Sequence, residues 1–483
     1  MRHTKIIATL GPASQTHDGI CALMDTGVNV FRLNCSHGQH VVLQETIALI
    51  REIAISKAMI CPGILIDLQG PKIRINRFKE GGVELQEGQA FSLDFDCPQH
   101  AGDTQRVGYT YANLAKDVSV GDELILDDGH IALRVMGIQG RLIQTKVLNS
   151  GRLSSKKGIN LKNGGLTAPS FTEKDKKDLD FAIEQDVDFV ALSFVKNAED
   201  VYAVREKINA SSKAIQLISK IERSDALNYL DEISRISDGL MIARGDLALE
   251  IGFAKVPAAQ KQIIKAARKN NNFVIVATQM MESMITSNHP TRAEVSDVAN
   301  AILDDVDALM LSAETAVGDH PALVTRAMHE ICLETESYVE HHDQDTPHLS
   351  RLSKVSMVVA DQAIQVGQAL GARAVVIYTE YGSTAKYASR QSSTIPIFGM
   401  SRVAKTCQLM QMFRGVRPIQ VTYDRLDYED INTMAVKHLL PILKFKDQDK
   451  IVIVKGDLIG VSGHTNSIEV WNARQLLEGC QVE

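Results

Sequence analysis

Short runs of apolar, largely β-branched residues alternate with amphipathic stretches from the start of the chain, a pattern typical of parallel β-strands joined by helices. Strands are predicted over residues 5–10, 28–36 and 59–68, with helices over 14–26 and 40–57 between them. The chain therefore begins as a series of βα units.

The alternation stops over residues 72–160, where glycines, turns and short alternating segments predict a small all-β insertion. It then resumes. Five further strands are predicted over residues 188–194, 215–222, 239–245, 273–279 and 307–312. The clearest helices of this part lie over residues 172–185, 257–270, 291–303 and 321–336.

Eight strands outside the insertion favour a closed (β/α)8 barrel of the TIM type, while an open, doubly wound sheet is the alternative. A polar segment over residues 340–350 is typical of a linker. Beyond it, an amphipathic helix over 353–371 and four apolar runs predict a second α/β unit. The predicted organisation is a barrel over 1–70 and 160–340, an inserted β lid domain, itself a small β-barrel, over 71–159, and a C-terminal α/β domain over 350–483.

Composition narrows the class of protein. The chain has 483 residues, 45% of them hydrophobic, and a net charge of −7, which argues against nucleic acid or an anionic membrane as its partner. No signal peptide or membrane-spanning run is visible. Seven scattered cysteines predict neither a disulfide framework nor a zinc site. We expect a cytoplasmic multidomain protein.

Polar residues stand where the predicted barrel strands end, and catalytic groups in such barrels lie at the carboxyl ends of the strands. Alternation along a strand predicts that Lys220 and Glu222 share a face. The candidates at these ends are Arg32, Asn34, Ser36, Asp67, Lys220, Glu222, Arg244, Gly245, Asp246, Thr278, Gln279, Ser312 and Glu314.

These residue types favour phosphoryl transfer. Glu222 and Asp246 are two hard oxygen ligands, the number that Mg²⁺ typically takes from a protein. Arg32, Arg74 and Lys220 are cations suited to a phosphate, and such transfer depends mainly on positioning and charge neutralisation. Neither a P-loop motif nor a Gly-x-Gly-x-x-Gly motif occurs, so a nucleotide would be held by other means.

Eight stretches of the chain resemble the pyruvate kinase family, in the order in which that family carries them, and the resemblance extends over essentially the whole chain. They are TKIIATLGPAS (4–14), FRLNCSHG (31–38), GPKIR (70–74), SKIER (219–223), ARGDL (243–247), ATQMMESM (277–284), PTRAEVSDVANAILD (290–304) and LSAETA (311–316). The resemblance implies a barrel with an inserted lid and a C-terminal domain. It also implies transfer of the phosphoryl group of phosphoenolpyruvate to ADP, giving pyruvate and ATP.

The resemblance assigns roles to the matching positions. Glu222 and Asp246 would bind Mg²⁺ or Mn²⁺, and Lys220 would neutralise the transferred phosphoryl group. The substrate would be bound by Arg32, Lys220, Thr278 and the amides of Gly245 and Asp246. Thr278 and Ser312 would lie near the proton path, and Arg74 would complete the catalytic group. The nucleotide would contact Arg32, Asn34, His37 and Lys156, and the lid segment 126–129 would close over the site.

Lys72 departs from the pattern of many family members, which carry Glu there and need K⁺. Asn34, Ser36 and Asp67 match the monovalent-cation site, and Leu68 stands where Thr is common. Resemblance to the Lys-bearing subgroup implies that K⁺ is not required, because a tethered ammonium supplies the charge.

The resemblance also implies an allosteric site for a phosphorylated effector and a homotetramer. The segment TEYGST (379–384) lies between a strand and a helix, and VSGHTN (461–466) matches a second loop. The effector residues implied are Thr379, Gly382, Ser383, Thr384, Ser462 and Gly463.

Two other functions share parts of this pattern. A metal-dependent aldolase or lyase of pyruvate or phosphoenolpyruvate would use the same carboxylate pair, but it gives no reason for the lid. A catalytically inactive metabolite-binding regulator would have no need of Lys220, Glu222, Asp246 and Thr278 together. Metal-dependent phosphoryl transfer separates both from a kinase.

Overall fold

A computed structural model describes residues 1–36, 38–338, 354–391, 393–422, 428–456 and 464–478. The predicted linker over 340–350 lies outside these described residues. Within them, the helices all fall short of the length and apolar character needed to cross a membrane.

The described strands and helices follow the predicted alternation. In chain order, the strands are β1 (Lys5–Thr9), β2 (Val30–Asn34), β3 (Gly63–Asp67), β4 (Gly82–Leu85), β5 (Ala90–Asp94), β6 (Arg106–Val107), β7 (Glu123–Leu126), β8 (Ile131–Gln139), β9 (Leu142–Val147), β10 (Gly151–Ser154), β11 (Ile159–Leu161), β12 (Phe189–Leu192), β13 (Gln216–Ile221), β14 (Gly239–Ala243), β15 (Phe273–Ala277), β16 (Ala308–Leu311), β17 (Ala374–Tyr378), β18 (Ile397–Ser401), β19 (Val416–Gln420), β20 (Lys450–Gly456) and β21 (Thr465–Asn472). The α-helices are α1 (His17–Asp25), α2 (His40–Ser56), α3 (Leu114–Asp117), α4 (Glu173–Glu184), α5 (Ala198–Ala210), α6 (Leu230–Ile236), α7 (Arg244–Ile251), α8 (Val256–Lys269), α9 (Arg292–Leu303), α10 (Ala313–Ala316), α11 (Pro321–Tyr338), α12 (Val355–Leu370), α13 (Ser383–Ala388), α14 (Ala404–Met410), α15 (Tyr428–Leu439) and α16 (Ala473–Glu478).

Eight parallel strands close into a barrel in the order β1-β16-β15-β14-β13-β12-β3-β2. The pairing of β1 with β16 closes the ring, with Lys5 opposite Ala308. This order confirms the predicted (β/α)8 barrel and excludes the open doubly wound sheet. The strands are almost wholly apolar because a parallel barrel is covered on both faces.

Alternate residues of each barrel strand belong to two different cores. Ile6 and Ala8 pack with the surrounding helices, whereas Ile7 packs with Val30 in the barrel interior. Polar side chains appear two positions beyond interior residues: Arg32 follows Val30, and Lys220 follows Ile218. Strand alternation therefore turns the carboxyl-end polar residues towards the barrel axis.

The inserted segment is all-β, as predicted. It contains a six-stranded sheet in the order β11-β7-β8-β9-β5-β6 and an antiparallel pair, β10-β4. Its own apolar core includes Phe91, Leu124, Leu133 and Val147. An independent core of this kind allows the insertion to move as a unit relative to the barrel.

The C-terminal unit is a five-stranded sheet in the order β19-β18-β17-β20-β21, parallel except for the β20-β21 pair. The predicted α/β character is confirmed, but the edge strand β21 was not predicted, because its sequence is largely polar and half-exposed. The unit docks on the amino-terminal end of the barrel, where Phe273 and Phe413 have ring centroids 6.3 Å apart. The boundaries assigned to the three units from the sequence stay predictions.

All eight predicted barrel strands end earlier than expected, and the difference places several candidate residues in the turns that follow. Arg244, Gly245 and Asp246 form the first turn of α7 instead of the end of β14. Thr278 and Gln279 follow β15 in left-handed conformations, with φ of 66° and 54°. Ser312 precedes α10. Apolar periodicity marks where a strand runs, but the turn that follows depends on tertiary contacts that periodicity does not encode.

Candidate active site

The centre of the candidate site is a buried ammonium between two carboxylates. Lys220 Nζ lies 3.2 Å from Asp67 Oδ1 and 3.0 Å from Glu222 Oε1. Strands β3 and β13 deliver these groups, and the Lys220–Glu222 contact agrees with the face that strand alternation predicts. The arrangement places a cation at the carboxyl end of the barrel, where chemistry is expected in this fold.

The electrostatic surroundings keep this group charged. Burial alone would raise the pKa of Asp67, but Lys220 and Arg32 outweigh it, and the pKa is lowered. Burial would lower the pKa of Lys220, but Asp67 and Glu222 outweigh it, and the pKa is raised. The lysine is therefore a fixed positive charge, suited to binding anionic oxygen.

Arg32 completes the charged group from β2. Its Nε donates to Asp67 Oδ2 at 2.8 Å, and its Nη1 donates to Thr9 Oγ1 at 3.0 Å. These two bonds fix the plane of the guanidinium. An arginine has five N–H donors in total, so others remain for a ligand.

The structure adds Ser193, which the sequence analysis missed. Lys220 Nζ donates to Ser193 Oγ at 2.8 Å, and that hydroxyl donates to Leu68 O at 2.7 Å. The next residue, Phe194, donates its backbone N–H to Glu222 Oε2 at 2.7 Å. Ser193 directly follows β12, so extending the strand-end rule to this strand would have found it.

Glu222 and Asp246 form the expected carboxylate pair. Burial and the charge of Glu222 raise the pKa of Asp246 to about 7. Within the described residues, the Asp246 carboxylate accepts no hydrogen bond and forms no ion pair. Two carboxylates that repel one another, one of them without a protein partner, fit a divalent cation that takes its remaining ligands from substrate and water.

A larger protein cage for a metal is absent: the described residues hold no cluster of three or more His, Cys, Asp or Glu side chains with the spacing of metal ligands.

The loops after β14 and β15 are tied together beside this pair. The backbone N–H of Gly245 donates to Thr278 Oγ1 at 2.9 Å, and Thr278 Oγ1 donates to Ala277 O at 2.6 Å. Arg244 Nη2 donates to Thr278 O at 2.9 Å, while its Nη1 lies 2.7 Å from Asp297 Oδ1. Arg244 therefore stabilises the left-handed backbone at Thr278.

Glu314 stabilises the loop after β16, as Arg244 stabilises the loop after β15. It is buried, accepts a 2.7 Å hydrogen bond from the backbone N–H of Ser312 and a 3.2 Å bond from that of Met281. The sequence analysis placed Glu314 among the strand-end candidates without a role. The structure makes it the residue that positions Ser312.

The residues predicted for monovalent-cation binding lie around Asp67. Asn34 Oδ1 accepts a 2.9 Å hydrogen bond from Ser36 N in the turn after β2, so Ser36 lies beyond the strand on which it was predicted. Leu68 is buried and Lys72 half-buried. Burial and the charge of Arg74 lower the pKa of Lys72. Lys220 lowers it further, whereas Asp246 and Asp67 raise it.

Arg74, predicted for the catalytic group, and Lys156, predicted for the nucleotide, lie where the chain enters and leaves the inserted β domain. Arg74 pairs with Gly158 across a β-bridge, and Lys156 is exposed with φ of 65°. Within the described residues, neither side chain makes a hydrogen bond or an ion pair. The segment 126–129 lies against α7: a Cβ on Gly129 would lie 3.3 Å from Leu249, and the charge of Asp128 acts on Asp246. His37 lies outside the described residues.

The predicted effector loop is a tight turn before α13. Gly382 has φ of 79° and donates its N–H to Thr379 Oγ1 at 3.0 Å. Thr384 Oγ1 lies 3.1 Å from Thr465 Oγ1, so the described end of the second loop contacts the first. Ser383 is exposed, and Ser462 and Gly463 lie outside the described residues.

Comparison with known proteins gives full-length similarity. A family model described as "Pyruvate kinase, barrel domain" matches residues 1–324, and one described as "Pyruvate kinase, alpha/beta domain" matches residues 358–471. A protein named pyruvate kinase from Buchnera aphidicola subsp. Schizaphis graminum is 41% identical over 478 residues, covering 97% of this chain and 98% of that protein.

Two further relatives have the same extent. A protein named pyruvate kinase II from Salmonella typhimurium is 40% identical over 482 residues, covering 97% of this chain and 98% of its own. A protein named pyruvate kinase from Mycobacterium tuberculosis is 38% identical over 474 residues, with the same coverage.

Proposed function

The chain belongs to the pyruvate kinase family, a family of phosphotransferases, and on that premise we propose that it transfers the phosphoryl group of phosphoenolpyruvate to ADP, giving pyruvate and ATP. The observation that carries the proposal is the Lys220 ammonium, held between Asp67 and Glu222 beside the partly committed guanidinium of Arg32. Two fixed cations at one point are suited to a phosphoryl group whose charge must be neutralised in transfer.

In this proposal each group of the chain has one task. Arg32 binds the phosphate through its remaining N–H donors, and Lys220 neutralises the phosphoryl group and the enolate left behind. The amides of Gly245 and Asp246, in the first turn of α7, are assigned to the substrate carboxylate. The Gly245 N–H, which donates to Thr278 Oγ1 at 2.9 Å in this structure, would exchange that acceptor for the carboxylate when substrate binds. Ser193 positions Lys220 through their 2.8 Å hydrogen bond.

We propose Mg²⁺ or Mn²⁺ as the resident metal, held by Glu222 and Asp246. A bound divalent metal would offset negative charge on the phosphoryl and enolate oxygens. The mutual repulsion of the two carboxylates and the partnerless Asp246 oxygens support this assignment.

The proton that converts enolpyruvate to pyruvate is assigned to the Thr278–Ser312 region. Thr278 Oγ1 donates to Ala277 O and accepts from Gly245 N, so its hydroxyl proton is already committed. A water between Thr278 and Ser312 is therefore the proposed donor, and the threonine orients it. Because the threonine must orient this water, the role of Arg244 in fixing the Thr278 backbone matters for the proton transfer.

The nucleotide is assigned to Arg32, Asn34, His37 and Lys156, and Arg74 is assigned to the catalytic group. Because Lys156 and Arg74 lie in or beside the insertion, these contacts require the lid to approach the barrel. Closure would bring the segment 126–129 over the substrate and exclude water.

Independence of K⁺ is proposed from Lys72. The charges that act on this ammonium belong to Arg74, Asp246, Lys220 and Asp67, so it lies within the field of the site. In Lys72→Glu, turnover should become dependent on K⁺, about tenfold faster with K⁺ than with tetramethylammonium, because the anion attracts the ion. Equal rates of the variant in both salts would contradict the assignment.

Regulation by a phosphorylated effector at 379–384 and 461–466, a homotetramer and a cytoplasmic location are proposed from the family resemblance. The tight turn at Gly382 and the contact of Thr384 with Thr465 support a shared anion site between the two loops.

The proposed reaction is tested by phosphorus NMR of the protein with phosphoenolpyruvate, ADP and Mg²⁺. The expected result is loss of the phosphoenolpyruvate signal with equal gain of ATP. Release of inorganic phosphate without ATP would favour a lyase. No change in any signal, with a sugar phosphate or nucleotide effector present, would favour a metabolite-binding regulator.

A further inference from the structure

Two connections join the inserted β domain to the barrel, and they are defined here as residues 68–72 and 162–168. The first follows β3 and contains Gly70, with φ of 66°. The second precedes α4 and contains Gly164 and Gly165, with φ of 82° and 101°. Consecutive residues in conformations that glycine adopts most readily are suited to a pivot. Motion of the insertion relative to the barrel must act through these two connections.

The side chain of Phe194 packs against the first connection. A Cβ on Gly70 would lie 2.8 Å from Cδ2 of the Phe194 ring, so the two are in direct contact. Phe194 has φ of 56°, which is a strained conformation for a bulky residue. Its carbonyl accepts a 2.6 Å hydrogen bond from Ser170 Oγ, and its N–H donates to Glu222 Oε2 at 2.7 Å. The strained residue therefore links the first connection to a proposed metal ligand.

Arg223 holds the second connection. It directly follows Glu222 in the chain, is only 2% exposed, and its Nη1 donates to the carbonyl of Leu166 at 2.9 Å. The Leu166 side chain belongs to the apolar core of the inserted domain. The guanidinium carbon of Arg223 also lies 5.9 Å from the centroid of the Phe194 ring. Arg223 therefore contacts both the inserted domain and the side chain that packs on the first connection.

The stabilising contacts of Arg223 are incomplete for so deeply buried a charge. Within the described residues it forms no ion pair, and its buried Nε has no hydrogen-bond acceptor. Burial raises the pKa of Glu250 to about 7, although hydrogen bonds from Ser224 and the charge of Arg223 oppose the rise. The backbone oxygen of Glu250 accepts a 2.9 Å hydrogen bond from the N–H of Asn163, in the second connection. A buried donor left without an acceptor points to a role beyond stability.

We propose that Arg223 is a positioning residue that couples the metal site to both connections of the inserted domain. A displacement of Glu222 on binding a divalent cation would reach Phe194 through their hydrogen bond and Arg223 through the backbone that it shares with Glu222. Phe194 and Arg223 would then fix the two connections and hold the insertion over the carboxyl end of the barrel. This inference rests on the proposed metal at Glu222 and Asp246.

Coupling of this kind is reciprocal. If a bound metal orders the connections, ordered connections raise the affinity for the metal by the same factor, typically about 5- to 150-fold. Removal of the Arg223 side chain should therefore weaken metal binding, although a guanidinium is not itself a metal ligand. A purely structural role would lower the stability of the fold without changing metal affinity and the order of the connections together.

The test combines two measurements on the full-length protein without substrate, with Mn²⁺ as the probe. Electron paramagnetic resonance titration gives the affinity for Mn²⁺, and hydrogen exchange followed by mass spectrometry gives the opening of residues 68–72 and 162–168. In the wild type, saturating Mn²⁺ should slow exchange about threefold or more in both connections. In Arg223→Met, Mn²⁺ should bind about fivefold or more weakly, and saturating Mn²⁺ should no longer slow exchange over 162–168.

Two further variants sharpen the test. Arg51→Met is the matched control, because Arg51 Nη2 also donates to a backbone carbonyl, that of Gln185 at 2.7 Å, but at the amino-terminal end of the barrel. It should keep the affinity and the exchange of the wild type. Phe194→Leu keeps the N–H that binds Glu222 but removes the ring, and it should abolish the effect of Mn²⁺ over 68–72. It also replaces Arg223→Met if that variant does not fold.

Three results would overturn the inference and leave the metal assignment intact. They are an equal effect of Mn²⁺ on exchange in the wild type, Arg223→Met and Phe194→Leu, binding of Mn²⁺ to the wild type without a change in either connection, and equal losses in Arg51→Met and Arg223→Met. Absence of Mn²⁺ binding to the wild type would instead refute the proposed metal site, and this inference with it. The titration therefore distinguishes failure of the coupling from failure of the proposed function.

Discussion

Alternate strands of the barrel are preceded by an Asn or Asp that accepts a hydrogen bond from the backbone of the neighbouring strand. The contacts, of 2.8 to 3.1 Å, are Ile6 to Asn29, Ile64 to Asp188, Leu217 to Asp238 and Val274 to Asp307. Each of the three aspartates also meets a cation: Lys405, Arg205 and Arg390, respectively. At this amino-terminal end, each of these side chains therefore has partners within the protein, although burial still raises the pKa of Asp188.

At the carboxyl-terminal end of the same strands, the carboxylates have fewer partners within the protein. Asp67 and Glu222 share one lysine, and Asp246 faces Glu222 without a protein donor from the described residues. A carboxylate that accepts backbone hydrogen bonds and pairs with a cation contributes to stability. Two carboxylates that face one another without such partners are instead stabilised by binding a ligand of positive charge. Residue type alone therefore does not identify a functional end; the donors around each carboxylate do.

The largest expected effect comes from Lys220→Met. Removing the cation that neutralises the transferred group should lower the rate of pyruvate formation by about 10³-fold or more, measured in a lactate dehydrogenase-coupled assay. Arg390→Met, a cation of the other end, is the control and should keep the rate per folded molecule. Comparable losses of rate in both variants would contradict the division between the ends.

Arg390→Met should instead lower stability. Arg390 Nη1 donates to Asp307 Oδ2 at 2.8 Å and to Asn272 O at 2.7 Å, and both side chains are buried. Leaving Asp307 unpaired should cost about 3–5 kcal/mol, seen as a lower midpoint in urea. The exposed pair Arg235–Asp231 offers a matched control, because Arg235→Met should cost at most about 1 kcal/mol. Equal midpoints for the two variants would count against a structural role for Arg390.

Arg244→Lys tests the positioning of Thr278. The lysine keeps the charge but lacks the fork that reaches both Asp297 and the carbonyl of Thr278. We expect about a 10²-fold loss of kcat with a much smaller change in KM for ADP, because only the substrate end is displaced. A variant with unchanged kcat would show that Thr278 holds its conformation without Arg244.

The smallest expected effect concerns Lys5, at the amino-terminal end. Burial lowers the pKa of Lys5 from 10.5 to about 7, where it donates to Val416 O at 2.5 Å. Arg2 and Arg417 lower it too, while Glu336 and Asp307 raise it. Between about pH 7 and 10.5 the unfolded chain binds the proton that the folded protein releases, so stability rises with pH in that window.

Relative to Lys5→Met, the wild type should gain about 1 kcal/mol of unfolding free energy between pH 6 and pH 8. Urea midpoints at the two pH values measure it. A difference between the two proteins that stays constant across this range would mean that Lys5 remains charged in the fold.

Much of the fold could be predicted because its pattern is local. Apolar runs of five residues between amphipathic stretches predict βα units, and eight of them predict a barrel. The same rule found Asp67, Lys220 and Glu222, since strand ends in a barrel converge. The rule did not predict features that depend on contacts between residues distant in sequence. Arg390 pairs with Asp307, 83 residues away, and the left-handed conformation of Thr278 depends on Arg244.

The site was predictable to the same depth. The alternation of side chains along the strands predicts which residues gather at the carboxyl end of the barrel. It does not predict which of those residues contact one another. Ser193 was missed although it lies near the end of the predicted strand 188–194, because no charged residue stands beside it at that strand end. The satisfied aspartates of the other end precede strands at Asp188, Asp238 and Asp307, a regularity whose meaning needs the register of neighbouring strands.

The most direct test of this account is a Mg²⁺ titration of pyruvate formation by Glu222→Gln and Asp238→Asn, one isosteric amide at each end of the barrel. The Mg²⁺ concentration for half-maximal rate should rise at least tenfold in Glu222→Gln, because a metal ligand loses its charge, and stay within twofold of the wild type in Asp238→Asn. Equal shifts in both variants, or none in Glu222→Gln, would contradict the assignment of the carboxyl-terminal end as the site of catalysis.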